Sequence, residues 1–139
     1  MDWASALFGF ALGLIGSLAT IWVERVLQRR DETTYSAKVV EGLIAEIEVA
    51  VDRAEEMARL ADQGAMSYSR LYVALWESTR ARLAATLADA DTLILLHRIY
   101  HAFDLVNFNC EKDRGASGAF AKLYLPDVKK DLIELKRRV

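Results

Sequence analysis

From Trp3 to Val23 the chain carries no ionisable side chain, and Asp2 and Glu24 bracket the run. As a helix this stretch would span roughly 30 Å, the depth of a bilayer's hydrocarbon core. A helix packed on a globular domain normally turns a charged face to water, and a run of this length predicts apolar surroundings on every side. Trp3 and Trp22 stand near its two ends, where amphipathic rings favour the headgroup region. The flank before it holds Asp2 and no Lys or Arg, unlike a secretory signal. The expectation is an uncleaved transmembrane anchor over residues 1–30, closed by a basic stop of Arg25, Arg29 and Arg30.

The basic residues all follow the run, with Lys38 beyond them. Positive-inside bias then expects the N-terminus outside and residues 31–139 in the cytoplasm of a single-pass protein. Ala- and Arg-rich usage suggests a bacterial source, hence an inner membrane and the lipid bilayer as a partner. Within the run, Ser5, Gly9, Gly13 and Ser17 recur at every fourth position, and Gly16 with Thr20 forms a second pair. Small side chains at that spacing let helix backbones approach closely. They predict a homo-oligomer or docking against a membrane-protein partner.

With 139 residues the chain has room for this segment and one further domain. A net charge of −2 gives no basic balance and argues against nucleic acid as the main partner. The lone Cys110 excludes an internal disulfide. One Pro and few β-branched runs point to helices.

Residues 34–63 keep a helical stripe of Val40, Ile44, Ile47, Val51, Ala54, Ala58 and Ala61, widened by Leu43, Ala50 and Met57. Its alanine-rich far end predicts closer packing there. The DETT stretch, residues 31–34, holds no Pro or Gly, so the first helix either runs straight through or kinks with Asp31 or Thr33 as a cap. Gly64 ends this helix. A second is expected over residues 69–87, capped by Ser69 and carrying Tyr72, Leu75, Trp76, Thr79, Leu83 and Leu87. Asp89 or Asp91 can cap a third, which turns Leu93, Leu96, Tyr100, Phe103, Val106 and Cys110 inward. Residues 111–118 read as a polar loop, and Phe120 to Tyr124 as a short turn. Pro126 suits the first position of a last helix with Leu125, Val128, Leu132, Leu135 and Val139 on its seam. The fold class expected is all-α, a single N-terminal transmembrane helix followed by an antiparallel four-helix bundle.

Chemical motifs are sparse. His97, His101 and Asp104 share about a 60° arc of one helix, the spacing of a metal face. The HExxH pattern is absent, and no further ligand is spaced to complete the set, so no metal or other cofactor is assigned. There is no GxGxxG, GxxxxGK[ST] or GxSxG. Cys110 sits near a helix end, where the dipole disfavours a thiolate, and reads as a small apolar residue. Trp76, Tyr100 and Asn107 would either line a pocket for an unidentified small ligand or fill core volume, Asn107 satisfying a local hydrogen bond. The closing Lys136, Arg137 and Arg138 complement the helix dipole. With Lys129 and Lys130 they could also meet anionic lipid or a partner.

The order of apolar segment, basic stop, "LIAEIE", "W" and "LHRIYHAFDLVN" resembles a scattered group of uncharacterised bacterial proteins, with Trp76, Tyr100 and Asn107 as markers. The resemblance implies one membrane helix followed by a small cytosolic helical bundle, and no activity. The functional expectation is a non-enzymatic membrane protein whose N-terminal helix oligomerises or docks and whose bundle is an interaction module. The alternative is a membrane-permeabilising effector of defence or toxin type, its bundle sensing a ligand or partner.

Overall fold

The computed structural model describes the chain from Trp3 to Val139 except residues 66–68 and 113–116; of residues 3–17 and Ala19 only the helical backbone is described. Four helices follow in order: α1 (Trp3–Asp62), α2 (Ala74–Thr86), α3 (Ala90–Lys112) and α4 (Ser117–Arg138). The chain divides into two compact units, Met1–Tyr35 and Ser36–Val139.

The first unit is helical and carries the first correction. Among the described residues, no helix is long and apolar enough to cross a membrane. The expected single-pass architecture, with residues 1–30 as a transmembrane anchor, is therefore replaced by an all-helical chain of four helices. The side chains of Trp3, Ser5, Gly9, Gly13, Gly16 and Ser17 lie outside the described residues. Thr33 and Thr34 donate their hydroxyls back to the carbonyls of Arg29 and Arg30, at 2.8 and 2.9 Å. Neither threonine caps a new helix, and α1 passes through the DETT stretch unbroken.

The second unit is a bundle in which consecutive helices run antiparallel. Ser36 meets Thr86 while Glu46 meets the start of α2, which opposes α1 and α2. Arg98 meets Asp131 and Arg138 meets Asp91, which opposes α3 and α4. Between α1 and α4 three ion pairs repeat every seven residues: Glu48 with Lys136, Glu55 with Lys129, and Asp62 with Lys122. All six side chains are well exposed, so each pair is worth only about 0.2–1 kcal/mol. Their regular descent fixes register, as charges beside a heptad seam do.

The core follows the expected stripes closely in α1 and α3. Val40, Leu43, Ile47, Ala50, Val51, Ala54 and Met57 are buried against Leu96, Ile99, Tyr100, Phe103 and Val106. The end of α1 is set by Gly64, whose φ of 71° is open to glycine at little cost. There Gly64 N–H donates to Ala61 and Ala65 N–H to Leu60, the paired bonds of a Schellman cap. Asp89 caps α3: one carboxylate oxygen accepts from Asp91 N–H and the other from the Thr92 hydroxyl. The Thr92 bond is the main cause that holds the Asp89 carboxyl below its ordinary range.

Several expectations fail locally. Residues 69–73 are not helical; α2 begins at Ala74 with Val73 as its N-cap, not Ser69. Leu71 and Val73 are buried, whereas Tyr72 is 70% exposed, so burial alternates along this non-helical segment. Pro126 lies inside α4, and Phe120–Tyr124 belong to that helix. Pro126 is exposed, and the apolar period runs without interruption through Ala121, Val128, Leu132 and Leu135. Burial of that stripe outweighs the single missing backbone bond. Val139 falls beyond the helix and is exposed.

The predicted close approach at the alanine-rich end of α1 is found at Gly118. A Cβ there would lie 2.5 Å from Ala61 Cβ and 2.7 Å from the Met57 carbonyl oxygen. Because one neighbour is backbone, relief requires α1 and α4 to part. Gly118→Ala is expected to cost about 1–3 kcal/mol, more than the helix propensity it gains, and a lowered urea midpoint would show it.

Candidate functional site

The polar centre of the bundle is a carboxylate that three helices share. Glu46 projects from α1 toward the first turn of α2, whose own N-cap, Val73, offers no side-chain acceptor. Its Oε2 accepts Leu75 N–H at 2.8 Å, and its Oε1 accepts Trp76 N–H at 3.3 Å. Tyr100 of α3 donates its hydroxyl to the same Oε1 at 2.8 Å. A negative charge is also favoured by the dipole at a helix N-terminus. Burial, then the hydrogen bond to Glu46, pushes the Tyr100 phenol far above its ordinary value, so it stays protonated and keeps donating.

Aromatic rings close around this junction. Trp76 stacks on Tyr100 with centroids 4.7 Å apart and rings nearly parallel. His97 meets Trp76 edge-on at 4.9 Å, and Phe103 meets Tyr100 edge-on at 5.7 Å. Trp76, Tyr100 and Phe103 are buried, while His97 is exposed. Further along the chain direction of α3, Asn107 clamps the extended segment before α2. It accepts Leu71 N–H at 2.7 Å and donates to the Leu71 carbonyl at 3.0 Å, as a neighbouring strand would. The Cys110 thiol reaches the Ser69 carbonyl at 3.7 Å.

Trp76, Tyr100 and Asn107 are thus brought to neighbouring places in the core, where they fill volume and hold backbone. The bond made by Asn107 is long-range in sequence, not local. An apolar pocket between Val51, Leu71, Phe103, Val106 and Val128 has a volume of only about 10 Å³. That is room for one water at most, against the several hundred Å³ of ordinary ligand sites. An open groove of about 650 Å³ runs along Leu95, Arg98, Lys130, Asp131, Ile133 and Arg137. Arg98 is paired with Asp131 and Arg137 with Glu134, so much of its charge is matched within the fold.

His97, His101 and Asp104 are all exposed on α3. Among the described residues, no group of three or more His, Cys, Asp or Glu side chains is placed to hold a metal ion. The C-terminal cations are engaged across the bundle: Lys129 and Lys136 on α1, and Arg138 on Asp89, Asp91 and Glu134. In the first unit Thr20, Trp22, Arg25, Arg29 and Arg30 are exposed, Trp22 to 68%. Comparison with protein-family models, curated proteins and solved structures finds no match for the chain.

Sequence reasoning passed over Glu46. The signal was an acid one residue before Ile47 and three after Leu43, at the rim of the broadest apolar stripe. It also passed over Asp131, which lies on the buried face of α4 at 6% exposure, 3.2 Å from the Arg98 guanidinium. Burial raises the Asp131 carboxyl above its ordinary range; Arg98 opposes this, Asp127 adds to it and Lys130 opposes it.

Three outcomes follow from these carboxylates and the tyrosine that donates to one of them. Glu46→Ala strands two backbone N–H groups and the Tyr100 hydroxyl, so equilibrium urea unfolding should show a loss of about 2–3 kcal/mol. Tyr100→Phe leaves both capped N–H groups and should lose about 1 kcal/mol. For Asp131, the folded chain holds a proton that the unfolded chain releases near pH 3.9, roughly the free carboxyl value. Stability contributed by this group therefore falls as pH rises from there through the higher folded value. Asp131→Asn should flatten that slope and be at least as stable as the parent at neutral pH, measured by urea midpoints across the acid range.

Proposed function

We propose that this chain is a non-enzymatic interaction protein that assembles with copies of itself through its N-terminal helix and carries the four-helix unit as a binding module. The observation that supports this reading is the run of exposed apolar side chains between Leu18 and Leu27. Leu18, Ile21, Trp22, Val23, Val26 and Leu27 are each between 44% and 68% exposed. Apolar residues scattered singly on a surface need no explanation, whereas six within three turns of one helix form a patch that favours cover. Another helix of the same kind supplies matching apolar surface without a second gene product.

The composition of the second unit favours a binding role over catalysis. Its central carboxylate uses its acceptors to hold α2, and its aromatic rings pack against one another. What it offers outside is helix surface, including Ile94, Phe108, Leu123 and Ile133, each more than half exposed.

Sedimentation equilibrium of the full-length chain tests self-assembly. The parent should sediment as a defined multimer, and a double variant with Ile21→Glu and Trp22→Glu should dissociate at least about tenfold more readily. The thermal transition of the bundle, followed in the same variant, should persist. A parent that is monomeric at tens of micromolar, a heterogeneous aggregate, or a double variant that assembles equally well would each overturn the proposal.

A further inference from the structure

The helix α2 is held to the bundle differently from the others. It is the shortest of the four and buries only Trp76, Thr79 and Leu83 along its length, whereas α3 buries residues on every turn from Thr92 to Cys110. Its N-terminal donors are satisfied by Glu46 of α1, not by a side chain of its own first turn. The extended segment leading into it, Ser69–Val73, makes its central backbone bonds with a side chain of α3, through Asn107. At its far end Ser36 donates to the Thr86 hydroxyl at 3.0 Å, and Leu87 is half-buried. By contrast α1 and α4 are joined by three ion pairs and a glycine contact, and α3 and α4 pack along their length.

We infer that residues 69–87, the extended strap and α2 together, form a latch that opens from the bundle as one unit while α1, α3 and α4 stay packed. Side chains from α1 and α3 hold its two consecutive parts, Asn107 at Leu71 and Glu46 at Leu75 and Trp76. Release of the strap shifts the first turn of α2, and release of that turn removes the alignment that the strap needs. Local openings follow cooperative elements with few buried apolar contacts and borrowed hydrogen bonds. Residues 69–87 bury four apolar side chains, Leu71, Val73, Trp76 and Leu83, whereas the inner face of α3 is unbroken. Opening withdraws Leu71, Trp76 and Leu83; it bares Tyr100, on which Trp76 stacks, and Phe103, which lines one pocket with Leu71. The device resides wholly in the second unit and stands independently of self-assembly through the first.

Residue-resolved amide exchange of the full-length chain tests the latch. In the parent, the protected amides of Leu71 and α2 should exchange through one shared opening that is more frequent than the opening exposing Leu96–Cys110 of α3. Asn107→Ala deletes hydrogen bonds that hold the latch shut, and should speed exchange across residues 69–87 by about ten- to hundredfold. Gly118→Ala weakens the packing of α4 on α1, which stays in place when the latch opens. It should therefore speed exchange in α3 and leave that of residues 69–87 unchanged. The inference fails if α2 and α3 share one opening in the parent. It fails equally if Asn107→Ala frees Leu71 without α2, or if Gly118→Ala speeds both groups alike.

Discussion

The second unit of this protein turns on the placement of one carboxylate. Helix ends leave backbone donors without partners, and a buried end must find acceptors elsewhere. At the start of α2 the chain supplies Val73, which has none, after an extended segment that brings no hydroxyl into position. Glu46 answers that need from another helix and takes the Tyr100 hydroxyl as well. Three helices are thereby tied at one point. Trp76 and Tyr100, which supply two of the three donors to Glu46, stack their rings on each other.

Around that point the other interactions divide between burial and register. Interlocked apolar residues of α1 and α3 supply most of the hydrophobic stabilisation, because each is removed almost wholly from water. The Glu48, Glu55 and Asp62 ladder contributes little energy, being exposed, yet its sevenfold spacing opposes slippage between α1 and α4. Gly118 then sets how near the two helices come, with its missing side chain replaced by Ala61 and the Met57 backbone. Asp131 works against stability where α4 meets α3: it is buried along with its helix's apolar neighbours, and Arg98 of α3 offsets part of the cost.

The two units differ in how their apolar residues are satisfied. In Ser36–Val139 the large apolar side chains are mostly interior, and among the described side chains no buried polar atom lacks a partner. In the first unit Leu18, Ile21, Trp22, Val23, Val26 and Leu27 are exposed. That contrast underlies the reading of the N-terminal helix as an association surface. Within the bundle, the strap and α2 depend on side chains lent by α1 and α3 for the backbone bonds at Leu71, Leu75 and Trp76.

Several features were legible in the amino-acid order alone, because they depend on local period and local chemistry. The stripes Val40–Met57 and Leu96–Cys110 follow from 3.6-residue periodicity, the stop at Gly64 from its freedom at positive φ, and the cap at Asp89 from carboxylate geometry. The uncharged run from Trp3 to Val23 was equally visible, but its length on paper did not survive as a membrane span among the described residues. Tertiary structure alone decided the rest. The Ser69–Val73 segment stays outside α2, and Asn107, thirty-six residues away, takes the backbone bonds of Leu71 that a helix would have used. Pro126 stays inside α4 because burying Val128, Leu132 and Leu135 on one continuous face outweighs its missing donor. Glu46 became the centre of the bundle only when folding brought an uncapped helix within reach, a proximity that no local pattern encodes.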